Sequence, residues 1–302
     1  MKILFAYFGQ PRYVYENMPN HIALMKQIKN SLVSYDGVHI DILFSTTPIE
    51  NTIVEKIESI APSDMNVKFD FISELARADI ASSIHSKLKS NYFHKHDVIT
   101  ICHQIISIHM LASKIDKEYD AVYVLRTDML FATYKTQFDF SFLGHFIGKS
   151  DLDYKIFVTD MKQVVSERKQ SMDVNDQIFL TSKSTLRDLY FDDFQESISS
   201  FLDDSYAMRG KDTIRQINDY HSIFVGFMIN SFNSDKFKNN GKVYTIEQFR
   251  IAPFNSITRH GYSNTSYIDA TIVNEIINDR IIYDHENPKN FHIPPEWFAD
   301  KE

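Results

Sequence analysis

Short apolar segments alternate with amphipathic segments along the first 130 residues of the chain. Lys2–Phe8 is a continuous apolar run after its lysine and is followed by Gly9, which is typical of a strand buried on both faces. Residues 38–45 are also strand-like, and 121–125 form a second buried apolar run. Residues 67–72 alternate apolar with charged residues, as a half-exposed strand does. We therefore predict four strands in this part of the chain.

The segments between these strands carry apolar residues at intervals of three and four, the spacing that forms one stripe along a helix. This spacing predicts helices over 20–34 and 101–115, and a helix that has Pro48 in its first turn and continues to Ile60. Residues 73–97 have weak periodicity, and we predict an irregular segment with one short helix. Alternating strands and helices are the pattern of a parallel sheet with crossover helices.

The second half of the chain has a mixed pattern without repeats or low-complexity linkers. The apolar spacing predicts strands over 154–158, 176–180 and 249–254, and helices over 184–201, 215–232 and 271–282. The fold class that follows is α/β: a single Rossmann-like domain over 1–302 with a mostly parallel central sheet flanked by helices, and a mixed C-terminal half.

Composition narrows the function classes. The 302 residues are 43% hydrophobic, which is ample for a core, and 40 Asp+Glu against 32 Lys+Arg give a net charge of −8, which argues against a nucleic-acid partner. Cys102 is the single cysteine, so a disulfide framework and a cysteine zinc site are excluded, and its apolar surroundings predict burial.

No apolar run approaches the roughly 20 residues that a membrane-spanning helix needs. The N-terminal run is short and lacks a cleavage pattern, so we expect no signal peptide. A cytoplasmic location is the expectation, with peripheral association with a membrane left open and the oligomeric state undetermined.

The residues after the first predicted strand are Gly9, Gln10, Pro11 and Arg12. Ligands of open parallel sheets bind beyond the carboxyl ends of the strands. A glycine there lets the backbone approach a ligand closely, and a guanidinium binds phosphate or carboxylate. The alternative is an ordinary turn between a strand and a loop. The sequence lacks the G-x-x-x-x-G-K and G-x-G-x-x-G loops, which counts against NTP hydrolysis and dinucleotide binding.

Arg126, Thr127 and Asp128 follow the fourth predicted strand. A carboxylate in this position can hold Mg²⁺ or Mn²⁺ beside a diphosphate, and Arg126 can pair with phosphate oxygens. The alternative is that Asp128 caps a turn and forms an ion pair with Arg126.

Three further places carry candidate chemistry. Asp176 precedes a short apolar run and could orient an acceptor hydroxyl or act as a general base, or it could serve in a turn. Arg259 and His260 follow the predicted strand 249–254 and could reach a diphosphate. His221 could act as a base or ligand, or lie on a helix surface.

The order and spacing of these motifs resemble a known family over roughly residues 1–230. The features that resemble this family are, in chain order, Gly-Gln-Pro-Arg after the first strand, a long helix, Tyr-Asp-Ala-Val-Tyr-Val-Leu-Arg-Thr-Asp, and Asn-Asp-Gln-Ile-Phe-Leu-Thr-Ser-Lys-Ser-Thr-Leu. They resemble bacterial and viral glycosyltransferases of the GT-A type, and more narrowly polysaccharide and lipopolysaccharide glycosyltransferases with an Arg-x-Asp variant of the Asp-x-Asp motif.

The resemblance implies transfer of a sugar from a nucleoside-diphosphate donor to a hydroxyl of a glycan acceptor. It places Asp128 on a divalent cation and the donor diphosphate, Gly9, Gln10 and Arg12 near the nucleotide, and Asp176 near the acceptor or the transferred sugar. Residues 1–130 would bind the nucleotide and 131–302 the acceptor.

Arg126 stands where the family has the first Asp of Asp-x-Asp, so the guanidinium could replace part of the cation's charge and metal dependence is open. Two other functions also remain open. A sugar nucleotidyltransferase shares the sheet but opens with a loop of several glycines, and Gly-Gln-Pro-Arg has one. A glycan-binding or scaffold protein of the same fold without catalysis would need only stacking aromatic residues.

Overall fold

The computed structural model of the chain describes most of the first half and parts of the second. The described residues are 1–11, 14–32, 37–89, 93–127, 129–132, 152–160, 174–204, 227, 231, 242–246, 250–253, 282–283 and 291–292.

Within these residues the strands are β1 Lys2–Gly9, β2 His39–Thr46, β3 Asn66–Phe69, β4 Ala121–Arg126, β5 Met129–Ala132, β6 Lys155–Asp160, β7 Val174–Thr181, β8 Lys242–Ile246, β9 Arg250–Pro253, β10 Ile282–Tyr283 and β11 Phe291–His292. The helices are α1 Val14–Ser31, α2 Asn51–Ile60, α3 Glu74–Lys87, α4 Lys95–Ile101, α5 His103–Ser113 and α6 Lys183–Tyr190. Residues 194–204 are helical as well.

A seven-stranded sheet in the order β3-β2-β1-β4-β7-β6-β8 organises the fold. Strands β1 to β4 are mutually parallel where they pair, β7 is antiparallel to both β4 and β6, and β8 is parallel to β6. The prediction of an α/β fold with a mostly parallel sheet and flanking helices is confirmed. Strands β6 to β8 come from the second half of the sequence, so the sheet is built from both halves.

The side chains of β1 alternate between two cores, one on each face of the sheet. Ile3, Phe5 and Tyr7 pack in the core that contains the apolar residues of α1 and α2, and we call this side the α1/α2 face. Leu4, Ala6 and Phe8 pack in the core that contains residues of α3, α4, α5 and α6, which we call the α3/α5 face. Burial on both faces explains why the apolar run of β1 is continuous.

The prediction that 73–97 is irregular is wrong, because α3 spans 14 residues of it and α4 begins at Lys95. Ser73 caps α3 by accepting a hydrogen bond from the backbone of Ala76 at 3.0 Å. The buried face of α3 consists of Arg77, Ala81 and Ile84. An arginine at a core-facing position interrupts the apolar stripe, and this interruption is why the periodicity was too weak to indicate the helix.

Packing also moves the boundary of α1. The helix begins at Val14 and not at residue 20, and Pro19 lies inside it. Val14 and Met18 are buried at 3% and 0% exposure and extend the apolar stripe by two positions toward the N-terminus. Pro19 is exposed, so its ring does not disturb the core.

Other predicted helices are shorter than expected. Pro48 lies before α2, which begins at Asn51. The predicted helix 101–115 corresponds to α5, which spans His103–Ser113 and is separated from α4 by buried Cys102. The predicted helix 184–201 is interrupted at 191–193, where Asp193 has φ = 52°. Except for residues 227 and 231, the predicted helix 215–232 lies outside the described residues. The predicted helix 271–282 also lies outside them except for Ile282, which begins strand β10.

Candidate active site

The carboxyl ends of β1 and β4 lie side by side in the sheet. Strands β2 and β3 extend from one side of β1, whereas β4 pairs on its other side, and Phe8 is opposite Arg126. The order of the strands therefore reverses between β1 and β4. In open α/β sheets the ligand binds in the crevice at such a point. The structure thus brings Gly9 and Gln10 next to Arg126.

Two hydrogen bonds tie the loop after β4 to its neighbours. The Thr127 hydroxyl donates to the Gln10 carbonyl at 2.7 Å. The Nδ2 group of Asn17, in the first turn of α1, donates to the Thr127 carbonyl at 3.0 Å. Asn17 and Thr127 are 0% and 1% exposed. The backbone is therefore held from two sides immediately before Asp128.

Sequence reasoning did not select Asn17. Its one visible signal is a polar residue among the buried apolar positions of a helix. Its Oδ1 atom has no hydrogen-bond partner among the described residues, although the side chain is fully buried. A buried amide oxygen without a partner is unusual, and its cost must be offset by what the amide donor holds in place.

Gly9 adopts a backbone conformation that favours glycine, with φ = +93°. A Cβ atom at this position would meet nothing within 4 Å, so the requirement comes from the backbone conformation and not from crowding. The Gly9 carbonyl also accepts a hydrogen bond from the backbone of Thr47, after β2, at 3.3 Å. The turn after β1 is therefore linked to the strands on both sides.

Arg126 is half-buried at the end of β4. Val122 and Val124 pack on the α3/α5 face, and alternation along the strand puts the Arg126 side chain on that same face. The described part of the site therefore has a guanidinium on one face and the buried Asn17 amide on the other.

The backbone of Asp176 lies at the same edge of the sheet. Strand β7 is antiparallel to β4, and Leu125 is opposite Ile178. The Asp176 backbone lies two residues before Ile178, toward the carboxyl ends of β1 and β4. Arg12, Asp128, His221, Arg259 and His260 lie outside the described residues, so the roles given to them stay predictions.

A small sheet brings part of the C-terminal segment to this region. Strand β5, which begins one residue after Asp128, pairs antiparallel with β9, and Met129 is opposite Pro253. The predicted strand 249–254 is confirmed by β9. Arg259 and His260 follow β9 by six and seven residues in the sequence.

Arg77 is a second functional candidate that sequence reasoning missed. Its side chain is 3% exposed, and its Nη1 atom lies 3.0 Å from Glu74 Oε1 and 3.0 Å from His103 Nε2. Nε and Nη2 have no partner among the described residues. Burial lowers the pKa of the guanidinium, and the carboxylate of Glu74 opposes that shift.

A cavity of about 240 Å³ lies at the opposite edge of the sheet, where Lys2 and His39 begin their strands. Tyr119 borders it and donates a hydrogen bond to Asp41 at 2.9 Å. Burial and the bond to Asp41 raise the pKa of Tyr119, so it remains a donor. The amino ends of parallel strands are not where such sheets bind ligands, and the cavity is not our candidate site.

Among the described residues, no group of three or more His, Cys, Asp and Glu side chains could hold a metal ion. Asp128, the predicted cation ligand, lies outside these residues, so a cation site there stays a prediction. No helix within the described ranges is long and apolar enough to cross a membrane.

No protein-family model matches the chain, and no curated protein matches it. Among solved structures, the chain is similar to galactosyltransferase LgtC in complex with donor and acceptor sugar analogues, at 11% identity and a TM-score of 0.41 over 99% of each chain. It is also similar to core-mannan synthase A from Aspergillus fumigatus in its Mn/GDP form, at 10% identity and a TM-score of 0.40 over 83% of this chain and 73% of that one.

A third similar structure is 4-diphosphocytidyl-2C-methyl-D-erythritol synthase from Anaerococcus prevotii, at 11% identity and a TM-score of 0.36 over 92% of this chain and 97% of that one. At these identities and TM-scores, the function of this chain has to be argued from its own residues.

Proposed function

We propose that this chain is a glycosyltransferase that moves a sugar from a nucleoside-diphosphate donor to a hydroxyl of a glycan acceptor. The observation that carries the proposal is the meeting of the carboxyl ends of β1 and β4, where Thr127 is bonded to Gln10 and Asn17 immediately before Asp128. This arrangement supports a ligand site that uses the Gly9 turn and the Arg126–Asp128 segment together.

The donor diphosphate requires positive charge, because it leaves with an additional negative charge when the sugar is transferred. We assign this role to Arg126 and Arg12, and Asp128 would hold a Mn²⁺ or Mg²⁺ ion that would supply further positive charge for the diphosphate. The open turn at Gly9 lets the backbone of Gln10 approach the nucleotide. With Arg126 present, a cation would have to supply only part of the compensating charge.

The acceptor is assigned to the side of β7. In an inverting reaction the acceptor oxygen forms a bond to the anomeric carbon while the bond from that carbon to the phosphate oxygen breaks. The acceptor proton passes to the Asp176 carboxylate, and the electron pair of the broken bond leaves with the diphosphate. A retaining reaction would give Asp176 no such role, so the anomeric configuration of the product distinguishes the two. His221, Arg259 and His260 remain candidate contacts for the acceptor or the diphosphate.

The proposal implies one catalytic domain over 1–302, because β6, β7 and β8 complete the sheet that begins with β1. Residues 1–130 bind the donor in this account and 131–302 the acceptor. A cytoplasmic site of action follows from the sequence and stays a prediction.

The test is to incubate the full chain with UDP-, GDP- and CMP-sugars and Mn²⁺, and to follow donor hydrolysis and the melting temperature. We expect one donor to raise the melting temperature and to be hydrolysed, and Asp128→Asn to abolish the hydrolysis. The control is Asp116→Asn, since the Asp116 side chain is 72% exposed beyond the opposite edge of the sheet. If no nucleotide stabilises the protein and Asp128→Asn changes nothing, the proposal fails. Release of pyrophosphate from an NTP and a sugar phosphate would indicate a nucleotidyltransferase instead.

A further inference from the structure

Arg77 is a buried cation whose hydrogen bonds use only one of its terminal nitrogens. Nη1 lies 3.0 Å from both Glu74 Oε1 and His103 Nε2. A guanidinium can only donate, so His103 Nε2 must be the acceptor and the imidazole carries its proton on Nδ1. The imidazole is then neutral, and Glu74 is the only carboxylate that these bonds give to Arg77.

The free edge of the guanidinium has a defined shape. Nε and Nη2 present two parallel N–H groups, and neither has a partner among the described residues. Two parallel donors at this spacing match the two oxygens of a carboxylate or phosphate. Leaving them unpaired in a buried position is costly, and an oxyanion would satisfy both at once.

The position of Arg77 in the fold is at the edge where the candidate active site lies. Arg77 is in the first turn of α3, and the residue before its N-cap, Ile72, donates a backbone hydrogen bond to Thr46 at the end of β2. His103 begins α5, which packs against β1 and β2. Both side chains are therefore near the carboxyl ends of these strands, on the α3/α5 face.

A further buried polar atom without a partner among the described residues lies on the same face and edge. Ser45 is two residues after Leu43, which packs on the α3/α5 face, and the Ser45 Oγ atom is buried without a partner among the described residues. Ser45 and Arg126 flank Phe8 in one row across the sheet, so their backbones are about 10 Å apart at two strand spacings. On this face of the sheet edge, Ser45 and Arg126 thus lie on either side of Phe8, and α3, which carries Arg77, begins beside the end of β2.

We propose that Arg77 forms a binding site for an oxyanion, which its Nε and Nη2 groups hold as a bidentate pair at the carboxyl edge of β1 and β2. The oxyanion is a phosphate or a carboxylate. Its assignment to the sugar donor, as part of the diphosphate or as the carboxylate of an acidic sugar, rests on the proposed function. The binding of the anion itself does not.

The Glu74 carboxylate competes with an anion for the charge of Arg77. Its side chain is 70% exposed, and its ion pair with Arg77 therefore competes with water and salt. An incoming anion meets the same guanidinium from the free edge, and the Glu74 carboxylate repels it. Removing that charge should favour the anion, whereas a purely structural Arg77 would gain nothing from the change.

The experiment is calorimetric titration of the full chain at low ionic strength with inorganic pyrophosphate and, separately, with glucuronate. The variants are Arg77→Lys and Glu74→Gln. Arg77→Lys keeps the positive charge but lacks the two parallel N–H donors, and Glu74→Gln removes the competing carboxylate. Arg187→Lys is the matched control, because Arg187 is half-exposed and already pairs with Asp192 at 3.6 Å. Circular dichroism and thermal melting show which variants are folded.

We expect one of the two probes to bind. Arg77→Lys should weaken that binding about tenfold or more, because one of two charge-assisted bonds is lost. Glu74→Gln should tighten it severalfold and Arg187→Lys should leave it unchanged. Binding of pyrophosphate alone assigns the site to the diphosphate, and binding of glucuronate alone assigns it to an acidic sugar.

The proposal is overturned if neither probe binds, or if Arg77→Lys is folded and binds as the wild type does. If Arg77→Lys does not fold, unchanged affinity in Glu74→Gln overturns it. Sugar transfer with no effect of Arg77→Lys on anion affinity would remove this site and leave the proposed function in place. Anion binding through Arg77 without turnover of any nucleotide sugar would support this site and contradict the proposed function.

Discussion

Replacing Asn17 tests whether its hydrogen bond to the Thr127 carbonyl holds the loop immediately before Asp128 in place. The Nδ2 group of Asn17 donates to the Thr127 carbonyl at 3.0 Å, and both residues are fully buried. Asn17→Ala removes this donor and leaves the carbonyl without a partner, which costs about 1–3 kcal/mol. The cavity left by the side chain adds to that cost.

The unpaired Oδ1 atom of Asn17 reduces the net effect of the alanine variant. This oxygen is buried without a partner in the wild type, and its removal relieves a cost of the same order as the one created. We therefore expect Asn17→Ala to lower the free energy of unfolding by about 1–2 kcal/mol. Asn17→Asp should cost about 3–5 kcal/mol at neutral pH, because it buries a carboxylate without a counter-charge.

The aspartate variant should also be pH-dependent. A protonated carboxyl group can donate to the Thr127 carbonyl, whereas a carboxylate cannot. Burial disfavours the charged form, so the pKa of the introduced group in the folded state lies above its unfolded value of about 3.9. The unfolded chain therefore loses the proton first as the pH rises, and stability falls as the pH passes upward through the raised pKa.

The assays are urea unfolding between pH 4 and pH 7 and steady-state sugar transfer. Asn30→Asp is the control, because Asn30 is exposed on the same helix. Both Asn17 variants should lower kcat, since Thr127 directly precedes Asp128, and Asn17→Asp should recover stability toward pH 4. The reasoning is refuted if Asn17→Asp is as stable as Asn17→Ala at neutral pH, or if its stability relative to wild type does not change with pH.

Three further predictions concern substitutions or labelling of single residues. Gly9→Ala and Gly37→Ala should each cost about 1–2 kcal/mol in urea unfolding, since both glycines have positive φ, but only Gly9→Ala should reduce sugar transfer. Burial lowers the pKa of His109 below 6.5, and this effect outweighs the 2.6 Å hydrogen bond between its Nδ1 atom and the Tyr190 carbonyl, which raises the pKa. The unfolded chain therefore takes up the proton first as the pH falls below 6.5. The wild type should lose stability there relative to His109→Gln. Burial raises the pKa of Cys102 to about 12, so a thiol reagent at pH 8 should react only as fast as the protein unfolds.

Each of these predictions has a result that contradicts it. Equal losses of transfer in both glycine variants would mean that Gly9 has no special place at the site. A pH dependence that His109→Gln retains would assign it to another group. Rapid labelling of Cys102 under native conditions would contradict its burial.

The strands of the first half could be predicted because burial on both faces requires continuous apolar sequence, as in Lys2–Phe8. The edge of the candidate site could be proposed as well, since glycine and arginine directly follow the apolar runs of two such strands. Their adjacency depends on β4 pairing with β1, and that pairing needs contacts 118 residues apart in sequence. Local periodicity contains no information about such a pairing.

The missed residues share one physical cause. Asn17 and Arg77 occupy buried positions on helices where the pattern calls for apolar side chains. Arg77 interrupts the apolar stripe of α3, and the helix was therefore not predicted. The hydrogen-bond partner of Asn17, Thr127, is 110 residues away along the chain. A polar residue in an apolar stripe indicates that something is paired or bound there, but its partner becomes visible only in the fold.

The central claim is tested most directly by measuring nucleotide release from UDP-, GDP- and CMP-sugars with Mn²⁺, for the wild type and for Asp128→Asn. The account predicts that the wild type hydrolyses or transfers from one donor and that Asp128→Asn does not, while both proteins melt at similar temperatures without ligand. Equal nucleotide release by wild type and Asp128→Asn, or none from any donor together with no thermal shift, would contradict it.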